Sequence, residues 1–303
     1  MKKLFGITAA IVTPMTAAGE IDRKGIQILT SFLIEKGIHC LYPCGTTGEM
    51  LRLSVEERER IAEIVLETAS GKVPVYIHCG AARQDDTLRL LRHAQQAGAD
   101  GAGIVTPQFF GINEQEMESY YVNLAELVPD FPLYLYNIPQ CSANDLSAET
   151  ASRIAARCPN VIGVKYSYAD INRTIDYLQI QNGAFSVLHG CDRALPAFLA
   201  LGCDGTVSGV AGVFPELFVC VYEAFQAGSL GEMQRLQKHC IAACDILKCG
   251  SNMSYFKEAL KLRGIPAGHM RLPQQDLPNA ETALLKTRLD ALCRDAQIQL
   301  SMT

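Results

Sequence analysis

Val161-Ile162-Gly163-Val164-Lys165 is an unbroken apolar run closed by a lysine. A strand with one wet face alternates apolar and polar residues, whereas a strand buried on both faces of a parallel sheet does not. Seven further short runs read the same way, at residues 6–12, 38–43, 73–79, 101–105, 132–136, 185–189 and 205–208. The stretches between them carry helix signals. Ser54-Val55-Glu56-Glu57 offers a capping box ahead of Ile61, Ile64, Val65 and Thr68. Asn113 opens a run to Leu127, and Ser147 opens one ending near Arg157, which Pro159 stops. Eight strand and helix alternations predict an α/β fold of the (β/α)8 barrel type over residues 1–225, in preference to a doubly wound open sheet. Past Pro215 the strand signal ends. Helical stretches near 230–247, 253–263 and 280–296 predict a C-terminal helical region, residues 226–303, packed on the barrel without a low-complexity linker.

Composition narrows the partners. The chain has 303 residues, 49% hydrophobic and 19% charged, enough for a sizeable core. With 27 basic and 32 acidic residues the net charge is −5, which leaves no positive field for a nucleic acid. No apolar run approaches the roughly 20 residues that span a bilayer. The first residues, Met1-Lys2-Lys3-Leu4-Phe5-Gly6, run into a strand without a secretory leader, so a cytoplasmic chain with reduced thiols is expected. Cys40 and Cys44, and Cys240, Cys244 and Cys249, lack zinc-site spacing and read as small buried hydrophobes. Gly98-Ala99-Asp100-Gly101-Ala102-Gly103 has the wrong glycine order for a dinucleotide fingerprint, and neither a phosphate loop nor a His-Glu-x-x-His pair occurs. Neither cofactor nor metal is expected, and the partner is a small molecule.

In a barrel the chemistry lies at the carboxyl ends of the strands. Those ends are polar here: Gly45-Thr46-Thr47-Gly48-Glu49, Tyr136-Asn137-Ile138-Pro139, Lys165-Tyr166-Ser167 and Gly190-Cys191-Asp192-Arg193. A lysine closing an apolar run faces the barrel interior, and desolvation favours its neutral amine, which attacks a carbonyl to form a Schiff base. The alternative for Lys165 is a rim lysine paired with a carboxylate such as Asp192. Tyr136 is placed to give and accept protons, or else is a core tyrosine with a satisfied hydroxyl. The turn from Gly45 to Gly48 offers amides and two hydroxyls suited to a small carboxylate.

Taken together, Gly45-Thr46-Thr47-Gly48-Glu49, Tyr136-Asn137-Ile138-Pro139, Gly163-Val164-Lys165 and Gly190-x-Asp192 resemble the pyruvate-dependent class I aldolase and lyase superfamily that includes dihydrodipicolinate synthase and N-acetylneuraminate lyase. The resemblance covers nearly the whole chain. It implies that Lys165 forms a Schiff base with pyruvate or another 2-oxo acid, that Thr46 and Thr47 hold its carboxylate, and that Tyr136 relays protons. Gly45, Ser167, Gly190, Asp192, Arg193 and Val207 complete the expected substrate-contacting set. Similar proteins are homotetramers built from dimers.

Departures from the family pattern bear on the substrate. The synthases place an arginine two residues after Tyr-Asn-x-Pro to bind the carboxylate of aspartate semialdehyde; here Gln140 and Cys141 follow Pro139. Phe109 and Phe110 stand where that family uses an aromatic pair whose tyrosine crosses a subunit interface. Ser167 matches the hydroxyl residue of the sugar-acid aldolases. Against sialic acid itself, Arg193 replaces a glutamate and Gly209 a serine. An arginine binds carboxylates bidentately, so Arg193 suggests a second acid group on the substrate, unless it pairs with Glu49 or Asp192. The expectation is a lyase that cleaves a 2-keto-3-deoxy sugar acid to pyruvate and an aldehyde. The alternatives are 4-hydroxy-tetrahydrodipicolinate synthase, then N-acetylneuraminate lyase, and, from a different class, a non-catalytic 2-oxo-acid-binding sensor.

Overall fold

A computed structural model describes residues 3–250 and 252–300. Eight parallel strands form the sheet: β1 (Gly6–Ala10), β2 (Cys40–Tyr42), β3 (Tyr76–His78), β4 (Gly101–Val105), β5 (Leu133–Asn137), β6 (Val161–Tyr166), β7 (Ser186–His189) and β8 (Gly205–Ser208). Their order is β2-β1-β8-β7-β6-β5-β4-β3. The remaining gap, between β2 and β3, is closed by a parallel bridge from Leu41 to Val75 and by backbone hydrogen bonds from Leu41 N to Pro74 O and from His78 N to Pro43 O. The result is the (β/α)8 barrel that the continuous apolar runs predict.

Among the described residues, twelve α-helices follow or join the strands, one of them a single turn after β5. They are α1 (Arg23–Glu35), α2 (Val55–Ala69), α3 (Gln84–Gln96), α4 (Glu114–Glu126), the short α5 (Pro139–Ser142), α6 (Ala148–Arg157), α7 (Ile171–Leu178), α8 (Leu195–Leu201), α9 (Pro215–Gln226), α10 (Leu230–Ile246), α11 (Met253–Leu262) and α12 (Asn279–Ala296). The Ser54 capping box is complete, with Glu57 returning the bond, and Asn113 makes a second one with Glu116. Ser147 caps α6 through the Thr150 amide. Among the described residues, no helix is long and apolar enough to cross a membrane.

Side chains fill the barrel lumen: Tyr42, Tyr76, Tyr134, Leu188 and Val207 form one buried cluster with Ala10 and Cys40. The larger core lies between the strands and their surrounding helices. Beyond the barrel, α10 packs on α9 and α12, and α11 packs on α12. Two buried side chains tie this region down. Arg263 reaches the Val213 carbonyl and pairs with Glu216, its guanidinium lying over Phe214 and Phe32. Lys257 pairs with Glu49. Cys240 and Cys244 are buried on α10, while Cys249 is exposed, and all twelve thiols are free.

Candidate active site

The carboxyl ends of the strands surround a cavity of about 300 Å³. Lys165 reaches it from β6, next to Tyr136 on β5, its register partner. The lysine is 5% exposed. Its Nζ lies 3.9 Å from the ring centroid of Tyr136 and 4.8 Å from that of Tyr42, and among the described residues no carboxylate pairs with it. The rim lysine paired with Asp192 is therefore not what the fold builds. Asp192 instead accepts from Ser208 Oγ at 2.7 Å through Oδ2.

Tyr136 is buried, with its hydroxyl 3.3 Å from Thr46 Oγ1. Thr46 and Thr47 sit in the turn after β2, which closes on itself through Glu49 N to Thr46 O and Met50 N to Gly45 O. Thr13 Oγ1 ties that turn to the end of β1 by donating to Gly48 O. Under Tyr136, His78 packs edge-on at 5.8 Å, and Arg58 donates to the His78 and Gly80 carbonyls. Burial holds the His78 imidazole neutral well below its usual range, reinforced by the Arg58 and Lys165 charges.

Thr46, Thr47, Tyr136, Lys165, Ser167, Gly190, Asp192 and Val207 all line the cavity. Gly190 has no room for a side chain: a Cβ there would stand 2.2 Å from Ser167 Oγ. Burial pushes the Asp192 carboxyl up to about 7, against the pull of Ser208 and Lys165, and its Oδ1 has no hydrogen-bond partner among the described residues.

Two expected residues fall elsewhere. Gly45 lies behind the wall, against the Tyr42 ring. Arg193 turns away and pairs with Asp245 of α10, half exposed, so it does not line the cavity and pairs with neither Glu49 nor Asp192. The physical reason is that both acids are committed, Glu49 to Lys257 and Asp192 to Ser208, while α10 brings Asp245 against the turn that carries Arg193. Phe109 and Phe110 are exposed and do not line the cavity. Sequence reasoning missed the wall supplied from beyond the barrel, Gly250, Met253 and Phe256. Met253 and Phe256 are three apart on α11, apolar, and read as ordinary core. Among the described lining residues, Lys165 is the sole cation and Asp192 the sole acid.

A (β/α)8 barrel with such a cavity at its carboxyl face has the architecture of an enzyme. The sequence model of the Dihydrodipicolinate synthetase family matches residues 3–292. The chain belongs to that family, and it is a lyase. It is 34% identical to a 4-hydroxy-tetrahydrodipicolinate synthase of Methanoculleus marisnigri, over 93% of this chain and 97% of the relative. It is 31% identical to an Escherichia coli K12 protein named "Probable 2-dehydro-3-deoxy-D-pentonate aldolase", over 90% and 92% of the two chains. Among solved structures, a prophage protein of the dihydrodipicolinic acid synthase family from E. coli K12, in complex with pyruvate, superposes with a TM-score of 0.91 at 30% identity, covering 96% of this chain and 99% of the other.

Proposed function

We propose that the protein cleaves a 2-keto-3-deoxy sugar acid to pyruvate and an uncharged hydroxylated aldehyde through a Schiff base on Lys165. The Lys165 amine attacks the C2 carbonyl, and Tyr136 gives its phenol proton to the departing hydroxyl, so that water leaves and a protonated imine forms with Tyr136 as phenolate. Tyr136 takes the C4 hydroxyl proton as the C3–C4 bond breaks. The electron pair flows into the imine, giving an enamine, and the aldehyde departs. Protonation at C3 and hydrolysis then release pyruvate and restore the amine. Thr46 and Thr47 hold the substrate carboxylate, and Ser167 and Asp192 meet the hydroxyls of the leaving end.

The observation that carries this reading is the charge inventory of the cavity, which among the described lining residues holds one lysine without a carboxylate partner and no second cation. Aspartate semialdehyde brings its own carboxylate, and a buried unpaired carboxylate is costly. Cys141 lines the wall where the synthases have their arginine. The synthase reading is favoured by the names of several relatives, including the one at 34% identity, and it is the alternative tested. Supplying 2-keto-3-deoxy pentonate and hexonate and following pyruvate release should give turnover well above the condensation of pyruvate with aspartate semialdehyde. The opposite ranking would replace the aldolase reading with the synthase one. Free buried thiols support a cytoplasmic setting. The exposed rings of Phe109 and Phe110 support self-association, and a homotetramer is the expected assembly, checked by light scattering.

A further inference from the structure

Glu49 ends the turn that presents Thr46 and Thr47, its amide bonded to the Thr46 carbonyl at 3.1 Å. It holds a left-handed backbone, φ 62°, a conformation that a non-glycine residue keeps only when its surroundings enforce it. Its side chain is held from within the turn and from outside the barrel. The Glu49 side chain is fully buried, and Lys257 of α11, 1% exposed, places Nζ 2.7 Å from Glu49 Oε1. Arg52 contacts the other carboxylate oxygen at 3.0 Å, and Lys257 also donates to the His269 carbonyl at 2.6 Å. The next residue back, Phe256, lines the cavity together with Thr46 and Thr47. Phe256 Cε2 and Thr47 Oγ1 both face Gly209, each 2.9 Å from where a Cβ would stand. One ion pair thus joins the residue that ends the threonine turn to α11, the helix that supplies part of the cavity wall.

We propose that Glu49 and Lys257 are positioning residues, a buried clamp that sets the threonine turn for binding the carboxylate of a 2-oxo acid. The proposal rests on the reading of that turn as a carboxylate cradle. Removing Glu49 strands the buried Lys257 ammonium, removing Lys257 leaves the buried Glu49 carboxylate with only the partly exposed Arg52, and removing both takes away the two buried charges together. Stability and ligand binding therefore respond differently to single and double substitution.

The test compares wild type, Lys257→Met, Glu49→Gln and the double variant, using calorimetric pyruvate Kd, Tm, and borohydride trapping on wild type. The clamp predicts that each single variant loses Tm and weakens pyruvate about tenfold or more. In the double variant most of the lost Tm returns, but pyruvate stays weak, because the stranded charge is gone and the clamp still absent. Should a single variant fail to fold, the double variant alone decides. Kd returning with Tm in the double variant, or Kd unchanged throughout, overturns the clamp and leaves the reading of the site intact. A wild type that binds no pyruvate overturns the cradle and the clamp with it. Pyruvate bound without a trapped adduct overturns the imine step only, while the Kd comparison still decides the clamp.

Discussion

Lys165 Nζ rests 3.9 Å from the ring centroid of Tyr136 without a carboxylate to pair it among the described residues. An ammonium held against aromatic faces is attracted to the ring quadrupole, yet it keeps no counter-ion between itself and an incoming carbonyl. The same ring carries the hydroxyl that meets Thr46. One tyrosine thus serves both as a wall for the lysine and as the nearest proton-transfer group.

Tyr136→Phe separates these two roles, since it keeps the ring and removes the hydroxyl. Turnover is expected to fall about 10²-fold to 10⁴-fold, the range for losing a positioned proton-transfer group. Tm should change little. Rates of pyruvate release within twofold of wild type would take the proton relay away from Tyr136.

Gly190→Ala is a packing test of the β7 turn. The new methyl would stand 2.2 Å from Ser167 Oγ, and overpacking of this kind costs about 1–3 kcal/mol. Combining it with Ser167→Ala should recover only part of the lost stability in denaturant melts, because the atom at 2.2 Å is removed while Ser167 Cβ at 2.9 Å and Cα at 3.1 Å remain. An additive double variant would show that the two residues do not share this space.

Asp192 carries the pH dependence. Its folded pKa, about 7, lies above the unfolded 3.8, so the native state holds the extra proton between these values. Stability from this group is present at low pH and falls as pH rises from about 4 through 7. The neutral buried His78 and His189 act in the opposite sense over part of that range, so the comparison must be made against wild type at each pH. Asp192→Asn should gain Tm over wild type at pH 8 and lose that advantage toward pH 4. A difference in Tm that does not vary with pH would contradict the assignment.

Arg193→Ala removes a half-exposed ion pair with Asp245. Such pairs contribute about 0–1 kcal/mol. The ratio of kcat/KM for mono-acid and di-acid substrates should stay at its wild-type value. A selective loss on di-acids would show that the guanidinium swings back over the cavity during catalysis.

The barrel was legible because strands buried on both faces have no polar residue to confuse the pattern, as in 161–165. Element ends were less so. The run at 73–79 shortens to β3, Tyr76–His78, since its first residues make the bridge that closes the barrel rather than a full ladder. Helix α9 begins at Pro215 as the eighth barrel helix, where the sequence pattern shows only the end of the strand signal. Within the site, residues at strand ends could be found from their polarity, whereas Met253 and Phe256 could not. Their apolar spacing is that of any core helix, and only tertiary packing turns it toward the cavity. Arg193 went astray for a related reason, because its partner Asp245 lies on a helix whose docking no local pattern records.

Intact mass after incubation with pyruvate and sodium borohydride, on wild type and on Lys165→Arg, bears most directly on the mechanism. One reduced pyruvyl adduct per chain is expected, mapped by peptide analysis to Lys165 and absent from the variant. Pyruvate that binds to the wild type yet leaves its mass unchanged would contradict the Schiff base and put a non-catalytic 2-oxo-acid-binding role in its place.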